Sequence, residues 1–312
     1  MTRTWGGQAV FLTYATLFAV GVAAPFVVYP VFAMNVLVMA LFASALNLLL
    51  GYSGLLSFGH AAFLGSAAYV TGWAAKSWGL PVLAAMGVGV AVATVLGAIF
   101  GVLALRRSGI YFAMITLGLA QVIYFVVVQM PWTGGEDGLQ GIPRGKLFGI
   151  LDLNGSLAMY YFTYAVFLAA FWFIQRTIDS PFGQVLRAIR ENEPRAVSLG
   201  YDVQRYKLVA FVLSAMLAGL AGSLKAVALQ FATLGDVSWQ RSGEVVLMTL
   251  LGGMGTVVGP SVGALLVVTM ENYLASLGSW VTVITGAVFV VMVMAFRKGI
   301  VGELQAAARR WL

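Results

Sequence analysis

The chain has 312 residues, 61% of them hydrophobic and only 9% charged, with a formal net charge of +7 and a mean hydropathy of +0.94. Soluble domains carry about 25% charged residues, and no soluble core of this length could hide so much apolar surface, so lipid is the solvent for much of the chain. There is no cysteine, which excludes disulfides, thiol catalysis and cysteine-based metal sites. The basic residues sit at the ends of apolar runs, not in a patch suited to nucleic acid.

A membrane-spanning helix needs about 20 apolar residues. Such runs predict spans at 8–29, 31–50, 58–75, 82–105, 109–130, 158–176, 208–230, 243–256, 260–273 and 277–296. The first is too long for a signal-peptide core and no small-residue cleavage pattern follows it before Pro30, so it reads as a retained helix. Strands of alternating polarity are absent, and backbone in lipid must satisfy itself within the segment. The expected fold is therefore all-α, a polytopic integral membrane bundle of about ten spans. It forms a single transmembrane domain over 1–312, with a short helical hairpin near the C-terminal end.

Between the second and third spans stands "LLGYSGLLSFGHAAFLG", residues 49–65. Here Gly51, Ser53, Gly54, Ser57 and Gly59 interrupt the apolar run just before His60, the only histidine. Glycine lets helices approach closely. Unwound backbone beside a cavity can instead hydrogen-bond a small solute. Both readings stand, and with Asn47 these residues are the pathway candidates. His60 reads as a satisfied structural histidine or a proton carrier. As a metal ligand it lacks a second His or Cys, so no metal is expected. Further polar residues within the spans, Tyr111, Thr116 and Gln121, suit interhelical hydrogen bonds or the pathway.

After the fifth span comes "PWTGGEDGLQGIPRGKLFGILDLNGS", a turn-rich loop over 131–157 on the outer side. Its distinctive part is Thr133, Gly134, Gly135, Glu136, Asp137 and Gly138. A longer polar loop over 177–206 follows the sixth span. Ser180-Pro181 is an N-cap with a first-turn proline. A helix of about ten residues can follow, with Leu186 and Ile189 on one side and Arg187 and Arg190 on another. Pro194 opens a second short helix with Glu193 at its cap, and Gly200 supplies a left-handed stop. Two short amphipathic helices result. They suit either a protein partner or the lipid headgroups, where basic residues meet anionic lipid.

Lys225 falls near the end of its span and is expected to snorkel. Glu244 and Glu271 are expected at a solvated rim, where they could also meet a partner. The eighth and ninth spans are split by "LLGGMGTVVGPSVGA", residues 250–264. Leu250, Leu251, Gly252 and Gly255 align with Leu49, Leu50, Gly51 and Gly54. After one gap Gly259-Pro260 aligns with Gly59-His60. This reads either as a degenerate internal repeat of the kind transporter folds use or as a chance recurrence of an apolar pattern. It adds Gly252, Gly253, Gly255 and Gly259 to the pathway candidates.

Lys and Arg set the orientation. With the N-terminus inside, one side holds Arg3, Arg106, Arg107, Arg176, Arg187, Arg190, Arg195, Arg205, Lys207, Arg297, Lys298, Arg309 and Arg310. The outside holds Lys76, Arg144, Lys146 and Arg241. Both termini are then cytoplasmic. No G-x-x-x-x-G-K-[ST] phosphate loop occurs, and no paired carboxylates of a proton relay lie mid-span. Any energy source must then come from a partner, or there is none.

The segments "GYSGLLSFGHAAFLG", "TGGEDGLQGIP", "SPFGQVLRAIRENEPRAVSLGYDV" and "SGEVVLMTLLGGMGTVVGPSVGA" together resemble the LivM-type permeases of branched-chain amino acid ABC importers, in the right order along nearly the whole chain. The resemblance implies a type II importer-like bundle in a bacterial inner membrane, not itself an enzyme. It implies a second permease subunit, two cytosolic ATP-binding subunits that hold ATP and Mg, and an extracytoplasmic substrate-binding protein. It makes 177–206 the coupling loop, with Arg187, Arg190, Glu191, Glu193, Pro194, Arg195 and Gly200 as ATPase-coupling residues. The stretch Glu193 to Gly200 is a loose, one-residue-longer version of the Glu-Ala-Ala-x-x-x-Gly importer pattern, with Pro194 in place of an alanine. The resemblance also makes Thr133–Gly138 the binding-protein side. Branched-chain or related amino acids are the expected cargo; urea, short amides and small carboxylates are the alternatives within the class. A stand-alone secondary transporter is the rival, and it would need coupling-ion ligands. An intramembrane enzyme would need a buried catalytic set.

Overall fold

A computed structural model describes residues 21–147, 151–278, 280–296 and 298–308. Most of the expected first span, together with Arg3, Arg297, Arg309 and Arg310, lies outside the described residues; residues 21–27 are helical. The chain then forms α1 (Pro30–Ser53), α2 (His60–Ser77), α3 (Val82–Ala104), α4 (Ile110–Gln129), α5 (Ser156–Asp179), the short α6 (Pro181–Glu191) and α7 (Glu193–Ser198), α8 (Val203–Leu229), α9 (Trp239–Gly252), α10 (Gly259–Leu274), α11 (Trp280–Ala295) and α12 (Gly299–Ala308). It is an all-α membrane bundle. The expected spans from the second to the tenth each have a helix within a few residues. Hydropathy does not mark α12, a ten-residue helix begun by Gly299 at φ 73°.

α1 is the axis of the bundle. Some 83% of its apolar stretch is buried, against 22% for α4. Its C-terminal half, Val38 to Ser53, is buried on every side. A helix that is apolar all round belongs in the centre of a membrane bundle, where packing rather than water exclusion holds it. α8 packs on α1, α2 and α3, while α5, α9 and α10 close the rest of α1's circumference. The α8–α2 crossing is tight enough that a Cβ at Gly222 would overlap the Leu64 carbonyl.

Successive helices alternate in direction. α1, α3, α5, α9 and α11 finish on the side that carries α6 and α7; α2, α4, α8 and α10 finish on the side of the long 131–155 loop. That loop is docked, not free. Leu139 and Gln140 pair antiparallel with Ala232 and Phe231, and Lys146-Leu147 pairs with Leu151-Asp152. Arg144, 7% exposed, donates from Nη2 to the Ala228 carbonyl at 2.7 Å and from Nη1 to the Asn154 carbonyl at 3.3 Å. Burial holds its guanidinium below the usual range.

α9 and α10 form an antiparallel hairpin whose tip lies level with the end of α1. At a rise of 1.5 Å per residue their 14 and 16 residues make about 21 and 24 Å, shorter than the roughly 30 Å hydrocarbon core. Glycine lets the two backbones touch: a Cβ at Gly252 would overlap the Gly259 carbonyl, and one at Gly263 the Met248 carbonyl.

Candidate functional site

α6 begins where α5 ends, across a sharp corner. Ser180 caps it, accepting from Gly183 N at 3.4 Å, with Pro181 in the first turn. Leu186 and Ile189 turn inward and are buried. α7 differs from the sequence reading at its start. Asn192, not Glu193, is the cap, accepting from Arg195 N at 3.1 Å, so Glu193 and Pro194 are its first two residues. Proline needs no donor at either position of a first turn, and the shorter Asn side chain reaches back to the N–H better than Glu would. Glu193 is thereby released to pair with Lys207 of α8 at 2.6 Å. Gly200 follows at φ 86°. Ala196 is buried, while Glu191, Pro194, Arg195 and Gly200 are exposed.

The two arginines of α6 touch the end of α1, Arg187 half-buried and Arg190 itself exposed. The Arg187 guanidinium lies 5.3 Å from the centre of the Tyr52 ring, and Arg190 Nη1 donates to the Gly51 carbonyl. α1 ends there. Gly54 takes φ 75° and its N–H, with that of Leu55, closes on the Leu49 carbonyl, which Ser53 Oγ also reaches at 2.6 Å. The last carbonyls of any helix lack partners, and Arg190 supplies one for Gly51.

The second break comes to the same place. Asn47 Oδ1 accepts from Gly255 N at 2.9 Å and Asn47 Nδ2 donates to the Thr256 carbonyl at 2.8 Å. Gly255, at φ 80°, occupies the position the repeat aligns with Gly54. A Cβ on Gly255 would meet Arg190 Nη1 at 3.2 Å and the Gly51 carbonyl at 3.3 Å. Thr256 Oγ1 turns the tip by donating to Gly253 O at 2.7 Å and accepting from Gly259 N at 3.1 Å. Asn47, Gly51, Gly54, Gly253, Gly255 and Arg190 are thus one cluster.

The other pathway candidates lie along the 54–60 connection. Ser57 is buried and accepts from Gly59 N at 3.2 Å. His60 is fully buried, with the Phe63 and Phe211 rings edge-on. Its Nε2 is 2.7 Å from Ser214 Oγ, and that hydroxyl donates to the Ala45 carbonyl. One hydroxyl proton cannot serve both contacts, so Nε2–H is the donor to Ser214 and Nδ1 is bare. Nδ1 has no partner among the described residues. Beside this connection lies an apolar groove of about 620 Å³ lined by Gly54, Leu55, Leu56, Phe58 and the first two turns of α4. Thr116 ties the two walls together, accepting from Phe58 N at 3.2 Å.

On the far side Thr133 is buried, its hydroxyl within reach of the Val127 and Met130 carbonyls. Gly134, Gly135 and Gly138 all take positive φ. Glu136 and Asp137 are the exposed side chains of that motif. Lys225 does not snorkel. It is 4% exposed and pairs with the fully buried Asp236, under the Phe231 ring. The reason is local: Thr233 and Asp236 form a capping box that folds the α8–α9 connection back over the end of α8, so a carboxylate meets the ammonium before water does. Glu244 pairs with Arg241. The Thr-x-x-Asp spacing was a readable signal of that box. The Arg187–Tyr52 and Lys207–Glu193 contacts had none. Among the described residues no group of His, Asp and Glu could hold a metal ion.

A multi-pass helical bundle with two capped short helices on one face and glycine breaks beneath them defines the class: a polytopic α-helical membrane protein. The family described as "Branched-chain amino acid transport system / permease component" matches residues 29–295, and the chain belongs to it. It is 27% identical over 278 residues to the high-affinity branched-chain amino acid transport system permease protein LivM of Escherichia coli, covering 82% of this chain and 65% of that protein. It is 30% identical over 197 residues to the autoinducer 2 import system permease protein LsrC of Klebsiella pneumoniae, over 59% of this chain and 53% of the relative. A probable branched-chain amino acid transport permease protein LivM of Methanocaldococcus jannaschii is 26% identical over 181 residues, 57% of this chain and 51% of the relative. The chain thus spans less than two thirds of the length of the curated relatives it matches. No solved structure matches.

Proposed function

We propose that this chain is one of two transmembrane permease subunits of an ATP-driven importer of branched-chain or related amino acids. The observation that carries the reading is the α6–α7 element. Its inner face is anchored by Leu186, Ile189 and Ala196. Its outer face offers Val197 and Leu199, 57% and 68% exposed, beside Glu191 and Arg195. Exposed apolar side chains ringed by charge suit a groove on a partner protein. In this reading 177–206 docks on a cytosolic ATPase, both termini are cytoplasmic, and the whole chain is one transmembrane unit in an inner membrane. ATP and Mg belong to the partner. Glu136 and Asp137 face the extracytoplasmic binding protein, and a second permease completes the pathway.

The similarity to permeases named for branched-chain amino acids supports the cargo. The 30% identity to an autoinducer 2 import permease favours a second reading of the cargo, autoinducer 2 or a related solute. The test is to purify the tagged chain gently from native membranes, identify what accompanies it, and measure ATP hydrolysis with leucine-loaded binding protein. Co-purified ATPase subunits, a sister permease and stimulation by leucine support the proposal. A chain that comes out alone, with uptake that survives vanadate, would overturn it in favour of a secondary transporter.

A further inference from the structure

We infer that Arg190 is a positioning residue that binds α6 to both glycine breaks, so that α6, the end of α1 and the α9–α10 tip move as one body. The inference rests on the importer reading and says how a push on α6 would reach the bundle. Four observations converge. The Arg190 guanidinium donates to Gly51 O, a helix-terminal carbonyl otherwise left over, where a cation also meets the negative end of the helix dipole. The same guanidinium lies against Gly255, and the Arg190 stem against Gly54, with no room for a side chain at either glycine without a shift. Asn47 joins Gly255 and Thr256 to α1 by two hydrogen bonds. Arg187 on Tyr52 makes a second contact between α6 and α1 one turn earlier.

Arg190 therefore holds the permease while itself exposed, and Glu191, Arg195, Val197 and Leu199 are exposed residues of the two helices with no such contact to α1 or the tip. The assignment has an energetic basis. An ionised donor on a carbonyl makes a shorter and stronger bond than a neutral one, and displacing α6 alone would strand Gly51 O at a helix end.

The chain has no cysteine, so spin labels at Gln184→Cys on α6 and Met254→Cys on the tip report their separation in the intact complex. In the parent, the distance stays the same between the nucleotide-free and vanadate-trapped states. In Arg190→Ala, the distance shifts between states by about 2–5 Å, the scale of helix displacements at moving interfaces. Arg190→Lys, which can still donate to Gly51 O, restores most of the invariance. A parent distance that already shifts, or an Arg190→Ala protein indistinguishable from the parent, overturns the inference and leaves the importer reading intact. Loss of the ATPase subunits in both Arg190→Ala and Arg190→Lys overturns it too, because Arg190 would then be a partner contact. A parent that binds no ATPase subunit sinks both.

Discussion

The two glycine breaks share a sequence pattern and a left-handed glycine at aligned positions, Gly54 and Gly255. Their packing is opposite. At the second break the flanking helices α9 and α10 lie against each other along their length, and glycine meets glycine backbone at Gly252, Gly259 and Gly263. At the first break α1 and α2 separate at once. α8 packs on both, and the connection between them borders the apolar groove under α4. One copy of the motif closes a hairpin; the other opens a space. The same residue types do both because glycine permits close approach without requiring it. What decides is whether the next helix turns back onto its predecessor or around a third one.

Substitutions can break or sharpen that contrast. The largest effect is expected from Gly263→Leu. Its side chain would overlap Met248 backbone, which cannot swing aside, so the cost exceeds the ~1–3 kcal/mol of ordinary overpacking. Loss of a monodisperse peak on detergent gel filtration checks it; a well-behaved protein would mean the hairpin is not packed as described. Next comes Lys225→Ala, at the far end of the helix that holds the first break open. Leaving Asp236 buried and unpaired costs about 3–5 kcal/mol, read as a fall in thermal unfolding temperature, and Lys225→Ala with Asp236→Ala recovers much of it. Asn47→Ala unties one break from the other. Interhelical polar contacts of this kind contribute about 0.6–1.7 kcal/mol in membrane proteins, so a modest drop in the same melt is expected. Gly54→Ala and Gly255→Ala each force a side chain into left-handed backbone, for about 1–2 kcal/mol. Leu56→Ala, half-buried at the groove, stays within about 1 kcal/mol, which separates the open break from the closed one.

Much of this architecture was legible in the sequence, for reasons that differ by element. Helix positions followed from hydropathy because lipid leaves no alternative to internal hydrogen bonding. α6 followed from Ser180-Pro181, a local signal. The alignment of Gly51 and Gly54 with Gly252 and Gly255 anticipated a kinship between the breaks but not that they touch. The contact is made by Asn47 over a separation of 208 residues, and an apolar helix with two asparagines, Asn35 and Asn47, does not say which neighbour will satisfy either. Lys225 was misread because snorkelling assumes water beyond the helix end, whereas Asp236 is folded over it. At Glu193 the cap fell one residue earlier, on Asn192. That both α6 arginines reach the end of α1 depended on the corner at Gly183, where a Cβ would overlap Ile178 backbone; periodicity alone leaves that open.

The placement of α1 bears on how the protein is made. Its buried surface is covered by α5, α8, α9 and α10, all later in the chain, and Asn47 has to wait for Gly255 and Thr256. At about 5–20 residues per second of synthesis, those 208 residues take about 10–40 s to arrive. Through that interval the future centre of the bundle sits at the edge of a half-built one, with its amide group in want of a partner. A ribosome paused between α8 and α9 would hold it there longest.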